Sequence, residues 1–194
     1  MEAKARHHAE SRHDPLAARL ADGDPRAPRE LVERHQTELY RYAFAMLRDR
    51  EAAEDAVQDA FERALAALGR YPEERLRGMR LRAWLYRVTL NVVRNALRRN
   101  RRETPEDPEK LSELAGVASG ERREETMDVL AALGRLPERQ RTAITLRYLQ
   151  DLPYAEVAAA TGWPEATART LVRRGLGRLR GLLEIETEKG GDPA

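Results

Sequence analysis

Between residues 151 and 180 the sequence DLPYAEVAAATGWPEATARTLVRRGLGRLR holds two amphipathic stretches that cannot form one helix. No other feature constrains the fold as strongly. Pro153 suits the first position of a helix, and Tyr154, Val157 and Ala158 follow at spacings of three and four, so a short one-sided helix is expected. Gly162 accepts positive φ at a helix end, while Pro164 disfavours the α conformation in Trp163. The chain must turn there. A second helix is expected from Glu165, an acid at its positive end. Ala168, Leu171, Val172, Leu176, Leu179, Leu182 and Leu183 cluster on one side at about 100° per residue. Arg169, Thr170, Arg173, Arg174, Arg178 and Arg180 take the other side. A major groove admits one α-helix, and Arg both grips phosphate and reads guanine with two hydrogen bonds. The competing reading, a solvated basic face on a bundle helix, explains the arginines but not the preceding helix and glycine turn. The stretch therefore reads as a DNA-binding helix-turn-helix.

Net charge is only +2, but charge is segregated along the chain. Residues 94–102 hold five Arg and no acid, whereas residues 103–125 hold eight acids against Lys110, Arg122 and Arg123. This pattern suits a polyanion-binding surface beside a solvated segment. The chain contains no Cys, so it has neither a disulfide framework nor a thiolate metal site. It has no apolar run long enough to span a bilayer, and its first residues lack the apolar core of a signal peptide. A soluble cytoplasmic protein without membrane insertion is expected.

Residues 1–13 read as a fraying arm whose His7, His8 and His13 carry no expectation of a metal. Asp14 and Pro15 mark the start of a short helix. A helix over about 29–48 places Leu31, Val32, His35, Leu39, Tyr42, Ala43 and Met46 on one face, with His35 near the core rather than acting as a base. The next helix, 51–68, buries Ala53, Val57, Ala60, Phe61, Ala64 and Leu68. It exposes Glu54, Asp55, Gln58, Asp59 and Glu62, a face that suits solvent or a basic partner. Gly69, Pro72 and Gly78 predict a loop over 69–80. A helix over 81–99 carries one apolar stripe of Leu81, Leu85, Val88, Val92 and Ala96, and a second of Tyr86, Leu90, Val93 and Leu97. Arg87, Arg94 and Arg98 lie on its remaining edge with Trp84, Asn91 and Asn95. Basic groups beside a ring and amides can hold unpaired nucleic acid, although a lone Trp is more often a core residue. Residues 103–125 read as an acidic linker which, fully extended, would reach roughly 75–80 Å. Helix signals resume at Met127. No phosphate loop, dinucleotide turn, catalytic triad or metal spacing occurs, so neither enzyme activity nor a cofactor is expected.

With these segments in place, the chain resembles bacterial sigma factors of the extracytoplasmic-function type, the promoter-specificity subunits of RNA polymerase. The resemblance rests on LADGDPRAPRELVERH, AEDAVQDAFERALAAL and LRAWLYRVTLNVVRNALRR, then on LPERQRTAITLRYLQDLPYAEVAAATG and the basic helix after it. It implies an all-α fold of two small helical domains, region 2 over 14–102 and region 4 over 126–184. A flexible linker over 103–125 joins them, and 185–194 form a tail. By position, Asp55, Gln58 and Asp59 would dock on the clamp helices of the polymerase β′ subunit. The segment ending at Arg80 would capture a flipped −10 base, and the helix carrying Trp84, Arg87, Asn91, Arg94, Asn95 and Arg98 would hold the opened strand. Arg169, Thr170, Arg173 and Arg174 would enter the −35 major groove. Core RNA polymerase (including its β flap), promoter DNA and an anti-sigma factor are the implied partners. Leu171 stands where the family often has Arg, so one DNA contact is expected to be missing. The alternative is a stand-alone helix-turn-helix regulator.

Overall fold

A computed structural model describes residues 14–103 and 121–190, with side chains described over 14–99 and 128–183. The expected N-terminal arm and most of the expected linker lie outside the described residues. Among the described residues there are nine α-helices and no strand.

Local chemistry sets the helix boundaries. Helix α1, Pro15–Ala21, starts where the Asp14 carboxylate accepts a hydrogen bond from the Leu16 amide at 3.0 Å; such a cap stabilises a helix by about 1 kcal/mol. Helix α2, Ala27–Leu47, has Pro28 in its first turn and ends at Arg48, which takes the left-handed conformation at φ 58°. The chain then enters α3, Arg50–Leu68, through an Asp49 cap that accepts from the Ala52 amide. A segment expected as loop contains a short helix, α4, Glu73–Arg77, between Pro72 and Gly78. It forms because the stretch between the two breakers can close one turn over the buried Leu76 and tie Arg77 to Asp22 beyond α1. Helix α5, Leu81–Glu103, packs against α2 and α3 and runs four residues past its expected end at 99.

Helix α6, Glu121–Gly134, includes residues 121–125 that composition had assigned to the linker. Helix α7, Glu138–Ile144, passes into a π-helical turn, Thr145–Leu149, and Asp151 then takes φ 50° before α8, Tyr154–Thr161. Gly162 sits at φ 75° and its N–H donates to the Ala158 carbonyl, the left-handed cap expected of it. Helix α9, Glu165–Gly190, follows and extends through much of the expected tail. Its Gly175 lies directly on α7, where a Cβ would come within 2.6 Å of Ile144 Cδ1. A side chain there would have to push the end of Ile144 aside, so glycine suits the close approach of the two helices.

The second set of helices packs onto the first. Leu146, Leu152, Val157, Ala160 and Ala168 belong to the same buried cluster as Leu31, Leu39, Met46, Leu85 and Leu90, and a small separate cluster holds Leu133, Leu136 and Ile144. The main seam is α5 against α8. Helix α5 accounts for this. Leu81, Ala83, Leu85, Tyr86, Leu90, Val92, Val93 and Ala96 are all buried, too many for one face, so its second apolar strip requires cover of its own.

Candidate nucleic-acid interface

The outer edge of α9 is the simplest basic surface. Ala168 and Val172 are buried, which fixes the rotation of the helix and leaves Arg169, Arg173 and Arg174 exposed on the other side. Arg169 pairs with Glu165 one turn back, and its guanidinium stands 4.4 Å from the Tyr154 ring centre. Thr170 turns its hydroxyl back to the Ala166 carbonyl at 2.9 Å. Arg173 and Arg174 have no ion-pair partner among the described residues. This edge has the width of a single helix and carries side chains that can contact phosphates and base edges in a major groove.

The edge of α5 is more complicated. Trp84 is half-buried with its ring edge-on to Tyr71 at 5.9 Å, and the Arg75 guanidinium lies 3.7 Å from the Tyr71 ring centre. The aromatic neighbour and its cation come from the 69–80 segment, and sequence periodicity gave no sign of them. Arg80 is exposed at the mouth of a cavity of about 200 Å³ lined also by Asp14, Arg34, His35, Glu38 and Arg82. Asn91, Asn95 and Arg98 are exposed, and Arg98 donates to the Asn95 side-chain oxygen at 2.8 Å. A groove between α3 and α5 is lined by Asp59, Arg63, Val92, Asn95, Arg98 and Arg99.

Arg87 and Arg94 differ from these. Arg87 donates to the Ala159 carbonyl at the end of α8, and Arg94 donates to Glu138 of α7 at 3.0 Å. The Arg94 guanidinium is also 5.9 Å from the Trp163 ring, which has Arg139 at 4.9 Å. Four turns of α5 thus carry residues expected to face nucleic acid, and two of these residues are bonded to the second module.

The acidic face of α3 lies where periodicity put it. Asp55 and Gln58 are exposed, Gln58 donates to Glu62 at 3.0 Å, and Asp59 accepts two hydrogen bonds from Arg63 at 2.5 and 2.8 Å.

A polar network joins the modules, and no periodicity in the sequence marks it. Arg82 donates to Glu38 of α2 and to the Gln150 carbonyl at 2.7 Å, and the Tyr86 hydroxyl donates to the Gln150 side-chain oxygen at 3.1 Å. His35 is buried, as expected, with Nδ1 2.5 Å from Glu38. Burial pushes the Glu38 carboxyl up, but hydrogen bonds from His35 and Arg82 outweigh it and hold the pKa below its ordinary value. Burial likewise raises the Tyr86 phenol, so this hydroxyl stays a donor. Arg141 of α7, itself buried, donates to the Met46 carbonyl near the end of α2 at 3.1 Å. That position also suits a cation at the negative end of a helix dipole.

An all-helical protein with a helix-turn-helix in one module and a basic, partly aromatic helix edge in the other belongs to the DNA-binding transcription proteins. Residues 31–103 match the family model for sigma-70 region 2, and residues 126–179 match that for sigma-70 region 4. The RNA polymerase sigma factor CnrH of Cupriavidus metallidurans is 32% identical, with 90% of this chain and 95% of that protein covered. The ECF RNA polymerase sigma factor SigM of Mycobacterium tuberculosis H37Rv is 33% identical over 91% of this chain and 86% of its own length. Among solved structures, CnrH in complex with the cytosolic domain of CnrY superposes at a TM-score of 0.67 with 28% identity, over 88% of this chain and 96% of that one. The sigma factor RpoE bound to the anti-sigma factor NepR from Bartonella quintana gives 0.61 and 25% identity, over 80% and 98%. The chain belongs to the extracytoplasmic-function branch of the sigma-70 family.

Proposed function

We propose that this protein is a non-catalytic initiation factor that binds core RNA polymerase, brings it to a two-part promoter and helps to melt the −10 region. The observation that carries the reading is the arginine edge of α9, turned away from buried Ala168 and Val172 and open to a groove. Residues 126–184 serve as the −35 module. Phosphate contacts there set the register, and whichever of Arg169, Thr170, Arg173 and Arg174 meet base edges give the specificity. Residues 14–102 serve as the −10 module, with 103–125 as the connection. Unstacking a base costs a few kcal/mol, and stacking on an aromatic platform with cationic support at Arg80, Trp84, Arg87, Asn91, Arg94, Asn95 and Arg98 offsets it by about 1–3 kcal/mol per base.

Asp55, Gln58 and Asp59 on α3 are the docking residues for the polymerase β′ clamp helices, and the second module meets the β flap. The polymerase supplies the chemistry and this chain none. No described helix is long and apolar enough to cross a membrane, and the work belongs in the cytoplasm beside the polymerase. An anti-sigma factor gripping both modules is the proposed regulator; the similar sigma factor RpoE is solved in complex with the anti-sigma factor NepR.

The test is transcription on genomic DNA by core polymerase with and without the purified chain. Discrete starts sharing two upstream motifs are expected. Replacing Asp55 and Asp59 by Lys should weaken core binding at least tenfold while lowering stability only slightly, since Asp55 is exposed and a surface ion pair such as Asp59–Arg63 contributes about 0–1 kcal/mol. Tight, sequence-specific duplex binding without polymerase, together with no promoter-dependent transcripts, would establish the stand-alone regulator instead.

A further inference from the structure

We infer that Tyr154, the first residue of α8, is a positioning residue for −35 recognition: together with Glu165, its ring holds the Arg169 guanidinium in the attitude that reads a guanine edge. The inference rests on reading α9 as the helix that enters the −35 groove, and names the residues that set base preference there.

The arginines of α9 are held in different ways. Arg173 and Arg174 are exposed with no ion-pair partner among the described residues, so their long side chains can re-aim freely. Arg169 is exposed as well, yet it is restrained at two points. Its Nη2 donates to Glu165 one turn back, and its guanidinium carbon stands 4.4 Å from the Tyr154 ring centre. A planar ion over a ring and bonded at one nitrogen is restricted in both place and direction. Nη2 carries two hydrogens, one on each forked edge of the guanidinium, and Glu165 takes one of them. One complete edge stays open, with two N–H groups side by side, which is what guanine O6 and N7 require.

Tyr154 suits the role because its ring is itself fixed. It follows Pro153, the extended residue that precedes α8, and its half-buried ring packs on the main core. Arg147 of the π-helical turn lies 5.3 Å from the same ring centre, and donates to Asp151 at 3.4 Å and to the Leu152 carbonyl at 3.5 Å. Core packing and an anchored cation thus hold the ring, and Arg169 is the member that adapts to it. Thr170 beside Arg169 has its hydroxyl committed to the Ala166 carbonyl, so it offers no competing donor. A side chain ordered in advance loses less freedom on binding. It is also less able to swing to a phosphate when the base is wrong, so the restraint acts on discrimination more than on total affinity.

The test mixes the full-length chain, alone and with core polymerase, with duplexes carrying a block of randomised base pairs, and sequences the bound DNA. The wild type should enrich guanine at one position, and Arg169→Ala should abolish that preference. Tyr154→Leu keeps apolar filling on the core but removes the ring face; it should lower the same preference by roughly two- to fivefold, the worth of an exposed cation–ring contact, and leave the other positions unchanged. Tyr154→Phe keeps the ring and should match the wild type. On the Arg169→Ala background, Tyr154→Leu should change nothing further. Glu165→Gln tests the second restraint without touching the core and should lower the same preference by about twofold. The proposal is overturned if Tyr154→Leu weakens all sequences alike, if Tyr154→Phe is equally impaired, if the Tyr154 and Arg169 substitutions act additively, or if the wild type enriches no sequence. Wild-type transcription with core polymerase runs in parallel. Promoter-dependent starts with an unchanged guanine preference in Tyr154→Leu reject the positioning role alone. A loss confined to that guanine, with no starts, supports the positioning role and rejects the initiation reading.

Discussion

Helices α5 and α9 are both long, both basic along one edge and both expected to face nucleic acid, yet the protein treats them differently. Helix α9 is buried along one side, and its Arg173 and Arg174 are exposed with no ion-pair partner among the described residues. Helix α5 is buried around most of its circumference, and Arg82, Arg87 and Arg94 are bonded to the second module or to α2. The contrast shows that arginines bordering an apolar strip covered by another module are taken up by that module's acceptors, while those farther round the helix, such as Arg98, stay exposed. In α5 the neighbouring strip is apolar, and the helices that cover it bring their own acceptors to the arginines.

The largest expected effect tests whether the modules share one core. Leu152 is fully buried in the common cluster, and Leu152→Ala should cost about 2–5 kcal/mol. Denaturant unfolding followed separately by probes on α3 and α9 should show one transition moving as a unit, whereas two transitions, only one of them displaced, would mean that the modules are stable apart. Next comes the open helix. Losing a two-pronged base contact costs about 1–3 kcal/mol, so Arg173→Ala with Arg174→Ala should reduce binding of a −35 duplex by tenfold or more, with core-polymerase affinity retained. A double variant that also loses core affinity would place these arginines in protein contacts instead.

A smaller effect is expected at the seam. Tyr86→Phe removes the bond to Gln150 and should lower stability by about 1 kcal/mol, measured by the denaturant midpoint at constant slope. The smallest effect is the acid response of Glu38. Its folded pKa lies below the ordinary 4.5, so its contribution is fully present above that value and is lost as pH falls through the lower folded value. A pH titration of stability should therefore show a loss below about pH 4.5 that shrinks in Glu38→Gln; an unchanged profile in that variant would assign the acid response to other carboxylates.

Much of the architecture could be read from the chain. The Asp14-Pro15 start, the Gly162 turn and the buried face of α3 came from residue chemistry that acts over one or two helical turns. The exposed arginines of α9 followed from the same periodicity, because one buried stripe leaves only one outward face. The short helix α4, the π-helical turn and the Tyr71–Trp84 pair leave no periodic signal in the sequence. Each depends on a neighbour distant in sequence or on a single turn too short to show a period. Acidic composition at 121–125 suggested linker, but those residues continue a helix whose later turns are anchored by Leu133 and the neighbouring Leu130.

By itself the sequence determined an all-helical chain in two modules with a basic helix in each, because helix propensity, capping and periodicity are local and need no partner. It also carried the motifs that place the chain in its family. Only the tertiary structure decided that α5 receives its second cover from α8, and that Gln150, Glu138 and Ala159 engage arginines 44 to 72 positions away in the chain. An apolar strip records in sequence that it must be covered, but not by what. The choice depends on the long-range geometry that brings one helix end within hydrogen-bonding distance of another.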